Sequence, residues 1–376
     1  MSGISIAITA TLRGLACAAA LAAAHAMAAN GFYQEDMRIP MASAGARGLE
    51  ALLIRPAGSR RYPLALISHG TPREIDKRAG MSPYRLYPQA IEFARRGFAA
   101  LIVMRRGYGT SGGDYAEDSG PCGRRNYLIA AKASASDLRA AIDAVQSRVD
   151  ITTKDMIAVG VSAGGFASVA LTADPPPGLA AAISFAGGRG SRADDDVCDE
   201  DALTRAFAEL GKTSRTPTLW VYAQNDKFFR PDLAHRLHAG FTAAGGRAQF
   251  IDAAPFGSDG HTLFSPAGES IWLPMVDRFL HERNLGTRDL IAAPAPAALT
   301  PPPWLGSKGR DGFAAYLLGG PHKAFAASRK GGFAWRTGLR SATEAGQAAL
   351  EGCAQYAADC AIIALDDERV DQAGPR

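Results

Sequence analysis

The sequence is poor in cysteine, has no strong excess of either charge, and contains no long apolar run after its N-terminus. Its 376 residues include five cysteines, none in a CxxC pair, and no His/Cys cluster has zinc-site spacing, so we expect no structural metal. Lys and Arg number 41 against 37 Asp and Glu, without a basic block, which argues against a nucleic-acid partner. Hydrophobic residues make up 47% and charged residues 21%, which excludes global disorder and, at this length, predicts two or three domains.

The one long apolar run is N-terminal and rich in alanine. It follows Arg13 and ends in small residues with an A-x-A pattern. We interpret residues 1–29 as a signal peptide cleaved near Ala28 or Ala29, and we expect a periplasmic or secreted protein. A membrane anchor is the alternative, but a spanning helix needs about 20 strongly apolar residues. A lipoprotein signal would use Cys17, which precedes most of the run.

Between residues 30 and 290, short apolar runs alternate with amphipathic stretches. Continuous apolar runs are typical of strands buried on both faces of a mostly parallel sheet. Strand, helix and strand repeated in this way predict an α/β domain with a doubly wound sheet and right-handed crossovers. The predicted strands are LEALLIRP, PLALISH, FAALIVM, MIAVGV, AAAISFA, TPTLWVYA and RAQFIDA.

The composition changes after this domain. Five prolines lie between Pro294 and Pro303, so we interpret residues 291–306 as an extended, proline-rich linker. Residues 307–376 then show a hairpin pattern, a helical period and a further strand. They predict a small α+β C-terminal module near the lower size limit for a stable core, whose partner is unknown.

The strongest chemical motif is the GVSAG sequence centred on Ser162. A predicted strand precedes it and a helical stretch follows it. A serine at a sharp strand-to-helix turn exposes its Oγ, and the glycines on either side let neighbouring backbone pass closely. A chance match is the alternative in a sequence rich in glycine and alanine. The strand and helix in the required places favour a nucleophile.

A serine nucleophile needs a base and an orienting carboxylate, which in this fold follow the serine in the order acid, then histidine. Asp226 comes just past the strand TPTLWVYA, and His261 lies on the loop after the next strand. The other histidines lie in the signal, upstream of the serine, in helical patterns or beyond the linker. We therefore predict Asp226 and His261 as the acid and base, with Asp252 and Asp259 as rivals for the acid.

Acyl transfer also needs N–H donors for the oxyanion. The amide of Ala163, which follows the serine, is one candidate. The second comes from the loop after the strand PLALISH, where Gly70 permits close approach. Thr71 is the expected donor because Pro72 has no N–H. A simple turn is the alternative interpretation of this loop.

Taken together, these motifs resemble the α/β-hydrolase superfamily. The resemblance is carried by HGTPR, MRRGYGTSGG, GVSAGG, YAQND and DGH, and it covers about Gly31 to Asn284. It is nearest to the dienelactone-hydrolase-like and acylaminoacyl-peptidase-like branch of exported bacterial hydrolases. Dienelactone hydrolases have a cysteine nucleophile, so Ser162 favours a general serine esterase or peptidase instead. The resemblance gives the loop from Arg105 to Gly113 a mainly structural role.

Two further features bear on specificity. Six acids crowd the segment 194–201 between two strands, where they would bind calcium or a substrate amine, or else form an exposed loop and a helix N-terminus. We favour the loop and helix N-terminus. Four aromatic side chains are candidates for an acyl pocket or for simple packing: Tyr108, Tyr115, Phe228 and Phe229.

The sequence therefore predicts an exported serine hydrolase of carboxylic esters that needs no cofactor and acts on a small ester or short peptide. A serine exopeptidase is the runner-up, and it would need an acidic pair to bind the substrate amine. A binding protein on an inactive hydrolase scaffold is the alternative from another class.

Four cysteines remain after signal cleavage, and an even number in an oxidising compartment favours two disulfides. We expect Cys122 to pair with Cys198 at the active-site edge and Cys353 with Cys360 in the module. Cys353 and Cys360 would lie about 10 Å apart on a continuous helix, so their pairing requires the helix to end between them. Peptide mapping without reductant is expected to find no free thiol, and a Cys198–Cys353 peptide would refute the pairing.

Overall fold

The computed structural model describes residues 27–29, 31–295 and 298–370. Most of the predicted signal peptide therefore lies outside the described residues. Residues 27–29 form a strand that pairs antiparallel with the next one, so the predicted cleavage near Ala28 or Ala29 falls within it. Within the described ranges, no helix combines the length and apolarity that a membrane crossing requires.

The chain forms fifteen strands in the described ranges. They are β1 (Met27–Ala29), β2 (Phe32–Ile39), β3 (Leu49–Pro56), β4 (Tyr62–Ser68), β5 (Ala99–Val103), β6 (Ile151–Val161), β7 (Leu179–Phe185), β8 (Ser191–Ala193), β9 (Asp196–Val197), β10 (Thr218–Ala223), β11 (Ala248–Ala253), β12 (Ala324–Ala327), β13 (Phe333–Arg336), β14 (Ala361–Leu365) and β15 (Glu368–Arg369).

The principal sheet has nine strands in the order β1-β2-β3-β5-β4-β6-β7-β10-β11. The six strands from β5 to β11 in this order run parallel, and β3, β2 and β1 are added antiparallel at one end. The predicted doubly wound, mostly parallel sheet is confirmed, and all seven predicted strands are present. Strand β2 was not predicted, because its FYQEDMRI segment is polar and mostly part-exposed and so lacks a buried apolar run.

Eight α-helices accompany the strands in the described ranges. The helices are α1 (Tyr87–Arg95), α2 (Tyr127–Val145), α3 (Ala163–Ala173), α4 (Glu200–Gly211), α5 (Pro231–Ala243), α6 (Glu269–His281), α7 (Ser307–Leu317) and α8 (Ala342–Ala354). Apolar side chains of α1 and α6, such as Phe93 and Trp272, pack on one face of the principal sheet. Those of α2 to α5 cover the other face, so the sheet is buried on both sides.

The winding direction reverses next to β4, which places the site. From β4 the chain crosses through α1 to β5 on one side, and from β5 it returns through α2 to β6 on the other. The crevice between the carboxyl ends of β4 and β6 is therefore the topological switch point, where open α/β sheets bind ligands. Ser162 follows β6, and the loop carrying Thr71 follows β4.

The C-terminal module is a four-stranded antiparallel sheet, β13-β12-β14-β15, between two helices. Phe313 and Tyr316 of α7 pack on one face with Phe325, and Ala345 and Ala349 of α8 pack on the other. The hairpin, helix and strand predicted for 307–376 are present. Helix α7 was not predicted, because its SKGRDGFAAYL sequence contains two glycines and gives a weak helical pattern.

The module contacts β3 and the segment between β4 and α1. Arg340 Nε lies 2.9 Å from Glu50 Oε1, and Ser82 Oγ donates to the carbonyl of Leu339. The rings of Tyr84 and His322 meet edge to face with centroids 4.4 Å apart. These contacts hold the module against the larger domain.

Both expected disulfides are present. Cys122 pairs with Cys198, with Cα atoms 5.4 Å apart, and Cys353 with Cys360, with Cα atoms 6.0 Å apart. The second pair is possible because α8 ends at Ala354 and a turn returns the chain. One bond closes a loop between pocket-side segments, and the other closes a short loop inside the module.

The two bonds differ in the length of chain that they close, and we expect their contributions to stability to differ in the same sense. Cys122→Ser/Cys198→Ser opens a separation of 76 residues and should cost about 4 kcal/mol of unfolding free energy, since the unfolded chain regains more conformational entropy. Cys353→Ser/Cys360→Ser opens a separation of 7 and should cost about 2 to 3 kcal/mol. Scanning calorimetry of both variants measures the difference, and a larger loss from the short loop would contradict this ordering.

Candidate active site

Ser162 occupies a strained turn between β6 and α3. Its φ of 56° and ψ of −123° are unusual for a residue with a side chain. Neighbouring backbone passes so closely that a Cβ on Gly160 would lie 2.1 Å from the carbonyl oxygen of Gly164. A Cβ on Gly164 would lie 2.0 Å from that of Ser68. The GVSAG motif therefore has the glycines that this turn requires.

Asp226 and His261 are joined at the same edge of the sheet. Asp226 follows β10, His261 follows β11, and His261 Nδ1 lies 3.1 and 3.2 Å from the two carboxylate oxygens of Asp226. Asp226 is buried, and its Oδ1 also accepts hydrogen bonds from the amides of Phe228 and Phe229. A carboxylate held in this way fixes a proton on Nδ1 and leaves Nε2 as the basic nitrogen.

The two rival acids have other partners. Asp259 accepts from the amides of His261 and Lys227, so it shapes the loop on which the imidazole sits. Asp252 lies 3.0 Å from His235 and is exposed. The geometry therefore favours Asp226 as the carboxylate that orients His261.

The imidazole of His261 is held by aromatic stacking. The ring of Phe228 lies parallel to it with centroids 3.9 Å apart, and the guanidinium of Arg73 covers the Phe228 ring at 3.7 Å. In the described chain no hydrogen bond joins Ser162 Oγ to His261, and such bonds are often long until substrate binds. Ser162 lines a cavity together with Phe228, the ring that stacks on His261.

The loop after β4 lies directly against the serine. A Cβ on Gly70 would be 3.1 Å from Ser162 Cβ. Burial lowers the pKa of His69 well below its usual value, and the positive charge of Arg105 lowers it further, so this imidazole is neutral at pH 7. Its Nε2 accepts from the Arg105 amide at 3.1 Å, so the Nδ1–H donates to the Gly70 carbonyl at 2.6 Å.

This hydrogen bond determines the orientation of the Gly70–Thr71 peptide. The C=O and the N–H of a trans peptide point in opposite directions. Because His69 holds the Gly70 carbonyl, the Thr71 N–H points away from His69. Thr71 lines the same cavity as Ser162 and Ala163, as the predicted pair of oxyanion donors requires.

A buried ionic cluster, which the sequence did not predict, supports this loop. Glu117 forms ion pairs with Arg105 and with Arg189, the latter at 2.8 Å, and accepts hydrogen bonds from Ser134 and Tyr108. Burial alone raises the pKa of Glu117, but the two arginines lower it by more, so the pKa lies well below its usual range. No motif in the sequence distinguishes this glutamate from a surface residue.

Arg105 connects the cluster to the loop. Its Nη1 donates to Ser68 Oγ at 2.7 Å and to the His69 carbonyl at 2.8 Å. The residues after it form the structural loop that the resemblance implies, in which Ser111 Oγ bridges Glu50 N and Met104 O.

A cavity of about 410 Å³ opens beside Ser162. Tyr115, Phe228 and Phe229 line it, as expected for acyl-pocket aromatics, whereas Tyr108 is fully buried behind it against His69. The lining residues are Thr71, Pro72, Arg73, Ile75, Arg78, Tyr115, Glu117, Asp118, Ser119, Gly120, Arg125, Tyr127, Ser162, Ala163, Gly188, Arg189, Gly190, Ser191, Arg192, Phe228 and Phe229.

The acidic segment 194–201 is a hairpin followed by a capped helix. Asp199 Oδ1 accepts from the Ala202 amide at the start of α4, as the loop-and-helix interpretation predicts. Its acids form ion pairs with basic side chains, among them Asp194 with Arg73 and Glu200 with Arg230. In the described ranges, no group of His, Cys, Asp or Glu has the arrangement of a metal site.

Comparison with known proteins gives one family match and several similar structures. Residues 45–227, just under half of the chain, match the model of the X-Pro dipeptidyl-peptidase (S15) family. No curated protein matches the sequence.

The similar structures are distant in sequence. An esterase from an Arctic intertidal metagenomic library is 16% identical, with 69% of this chain and 97% of that chain covered and a TM-score of 0.48. An esterase of Thermogutta terrifontis is 17% identical, with 68% of this chain and 94% of that chain covered and a TM-score of 0.47. The acylaminoacyl peptidase of Pyrococcus horikoshii is 12% identical, with 67% of this chain and 42% of that chain covered and a TM-score of 0.47. Identities this low say nothing about substrate.

Three observations define the class of this protein. They are the doubly wound sheet, the serine in a strained turn after β6 and the S15 family match. The chain has the α/β-hydrolase fold, and its residues 45–227 are similar to the S15 family. It is an enzyme of the hydrolase type.

Glu117→Gln tests the buried cluster. The variant keeps the shape of the side chain but leaves the charges of Arg105 and Arg189 uncompensated, which should cost about 3–5 kcal/mol of unfolding free energy at pH 7. Glu117 has a lowered pKa in the folded state, so its stabilisation is present above the unfolded-state pKa and is lost as the pH falls towards the folded-state value. The difference in unfolding free energy between wild type and variant should therefore become smaller below about pH 4.5.

Urea unfolding of both proteins between pH 3.5 and 7 measures this gap. Glu209→Gln, at a half-exposed glutamate on α4, is the matched control and should be nearly neutral. A Glu117→Gln protein as stable as the control would contradict the assignment of Glu117 as a charged partner of both arginines.

Proposed function

We propose that the protein is an exported serine hydrolase of carboxylic esters. Ser162 Oγ attacks the ester carbonyl while His261 Nε2 accepts its proton, and Asp226 stabilises the resulting imidazolium. The amides of Thr71 and Ala163 donate to the oxyanion. The His261 imidazolium then protonates the leaving alcohol, and water, activated by the same histidine, releases the acid from the acyl-enzyme.

The observation that carries this proposal is the geometry of Ser162. The serine has φ 56° in a turn where side chains on Gly160 and Gly164 would collide with backbone. Strain of this kind is kept where function requires it. The Asp226–His261 pair at the ends of the strands two and three places along the sheet supplies the partners that a serine nucleophile needs.

The exopeptidase alternative depends on acids that would bind a substrate amine. The S15 family match supports a peptidase, but the acids of segment 194–201 are largely engaged with arginines. Glu117, the buried acid of the cavity wall, is shared between Arg105 and Arg189. The charges around the cavity therefore favour an ester substrate over a peptide with a free amino terminus.

Ser162→Ala is expected to lower kcat for nitrophenyl esters by several powers of ten, because the members of a triad act as a unit. The variant should also lose labelling by a fluorophosphonate probe that labels wild type. Ser147→Ala, at an exposed serine after α2, is the matched control and should keep both properties.

Two results would decide against the proposal. Near-normal ester turnover by a folded Ser162→Ala protein would remove the serine from the mechanism. A folded wild type that the probe does not label would favour the binding-protein alternative.

A further inference from the structure

The cavity beside Ser162 is rich in arginine. Its lining contains five arginines and two carboxylates, Glu117 and Asp118. The arginines are Arg73, Arg78, Arg125, Arg189 and Arg192. Acids of the protein neutralise only some of these positive charges.

Two of the arginines have acidic partners outside the lining. Arg73 lies 3.0 Å from Asp194, and Arg192 lies 2.7 Å from Asp196. Arg73 is also held by hydrogen bonds to Ser191 Oγ and to backbone carbonyls. These two side chains therefore shape the wall and contribute little net charge.

Arg189 shares its acid with a second arginine. Glu117 is the carboxylate partner of both Arg105 and Arg189, so the buried cluster carries one positive charge in excess. Arg189 also donates to Tyr115 Oη at 2.8 Å, which fixes that ring on the cavity wall. In a buried setting such an excess charge is only weakly screened.

Arg78 has no acidic partner among the described residues. Its guanidinium lies 3.7 Å from the centroid of the Tyr115 ring, which holds it flat against the wall. Its Nε is buried and has no hydrogen-bond partner in the described chain. Stacking of this kind orients a guanidinium while leaving its edge donors available.

Arg125 is in a similar position. Its Nε is directed at Cys198 Sγ, 3.4 Å away, and no carboxylate lies within ion-pair distance of its side chain in the described ranges. The nearby Asp199 is engaged at the backbone amides of Arg125 and Ala202. The disulfide between Cys198 and Cys122 fixes the loop that carries Arg125.

One free acid remains on the wall. Asp118 is exposed, and its Oδ1 accepts from the Gly120 amide. The charges not neutralised by protein groups are thus those of Arg78, Arg125 and the Glu117 cluster, against the single negative charge of Asp118. The cavity is cationic, and guanidinium donors match carboxylates in shape as well as charge.

We propose that the cavity selects esters that carry a second, ionised carboxyl group, with Arg78 and Arg125 as the residues that bind it. The inference rests on the proposed function and names its substrate class: small carboxylic esters with a free carboxylate on either the acyl or the alcohol side. A volume of about 410 Å³ suits a substrate of this size. The same positive charges would repel the free amino group of an aminopeptidase substrate.

The first experiment compares matched esters. Mono-4-nitrophenyl glutarate is tested against its neutral analogue, 4-nitrophenyl 4-carbamoylbutanoate, and 4-butyryloxybenzoate against 4-carbamoylphenyl butyrate. The two pairs place the carboxylate on the acyl side or on the leaving group. We expect wild type to prefer the anionic member of one pair by roughly tenfold or more in kcat/KM. Added salt should weaken that preference.

The variants Arg78→Gln and Arg125→Gln should lower kcat/KM for the preferred anionic ester by roughly tenfold and leave the neutral analogue within about twofold. Arg278→Gln, at an exposed arginine of α6 outside the cavity, is the control and should change neither. Equal rates for anionic and neutral esters in wild type, with Ser162→Ala inactive, would overturn this inference while the proposed function stands.

A binding measurement does not depend on turnover. Calorimetry of the folded Ser162→Ala protein with glutaric acid monoanilide should show binding that the neutral glutaric diamide analogue lacks and that Arg78→Gln or Arg125→Gln weakens. Equal binding of the charged and neutral compounds would overturn the inference. If wild type hydrolyses none of the four esters but the carboxylate-selective binding is found, the proposed function fails and the anion site stands.

Discussion

The ion pairs of Glu117 stabilise both the end of β4 and the cavity wall beside Ser162. A single buried carboxylate positions Arg105, which holds the carbonyl and hydroxyl groups at the end of β4, and Arg189, which lines the cavity. The Arg105 amide also sets the tautomer of His69, and through it the direction of the Thr71 N–H. A buried carboxylate with two arginines is stable only while all its partners remain in place. The loop after β4 and the cavity wall therefore depend on the same ion pairs.

The sheet and the strained turn were predictable because their signals are local. Buried parallel strands have continuous apolar runs in the sequence, and the turn at Ser162 needs a glycine two residues before and two residues after the serine. Chain order and loop context also indicated Asp226 and His261, which the structure brings together. Neither β2 nor α7 has such a signal, since one is a polar, part-exposed strand and the other a short helix with two glycines.

The charges of the cavity were not predictable in the same way. Arg78, Arg125 and Arg189 come from three separate loops, and each looks like a surface arginine in the sequence. What distinguishes them is which acids reach them, and those pairings depend on tertiary structure. The acidic segment 194–201 shows the converse: its charge cluster drew attention in the sequence, yet folding engages it mainly with neighbouring arginines.

The disulfide between Cys122 and Cys198 has a consequence for ligand recognition. It joins two loops without long secondary structure, one carrying Arg125 and the other leading into α4. Loops of this kind normally lose conformational freedom when a ligand binds, and that entropy reduces affinity. The covalent tie restricts this freedom during folding instead, before any ligand arrives. The arginine-lined wall is in this sense pre-organised, and the affinity of small, weakly contacting molecules benefits most from such rigidity.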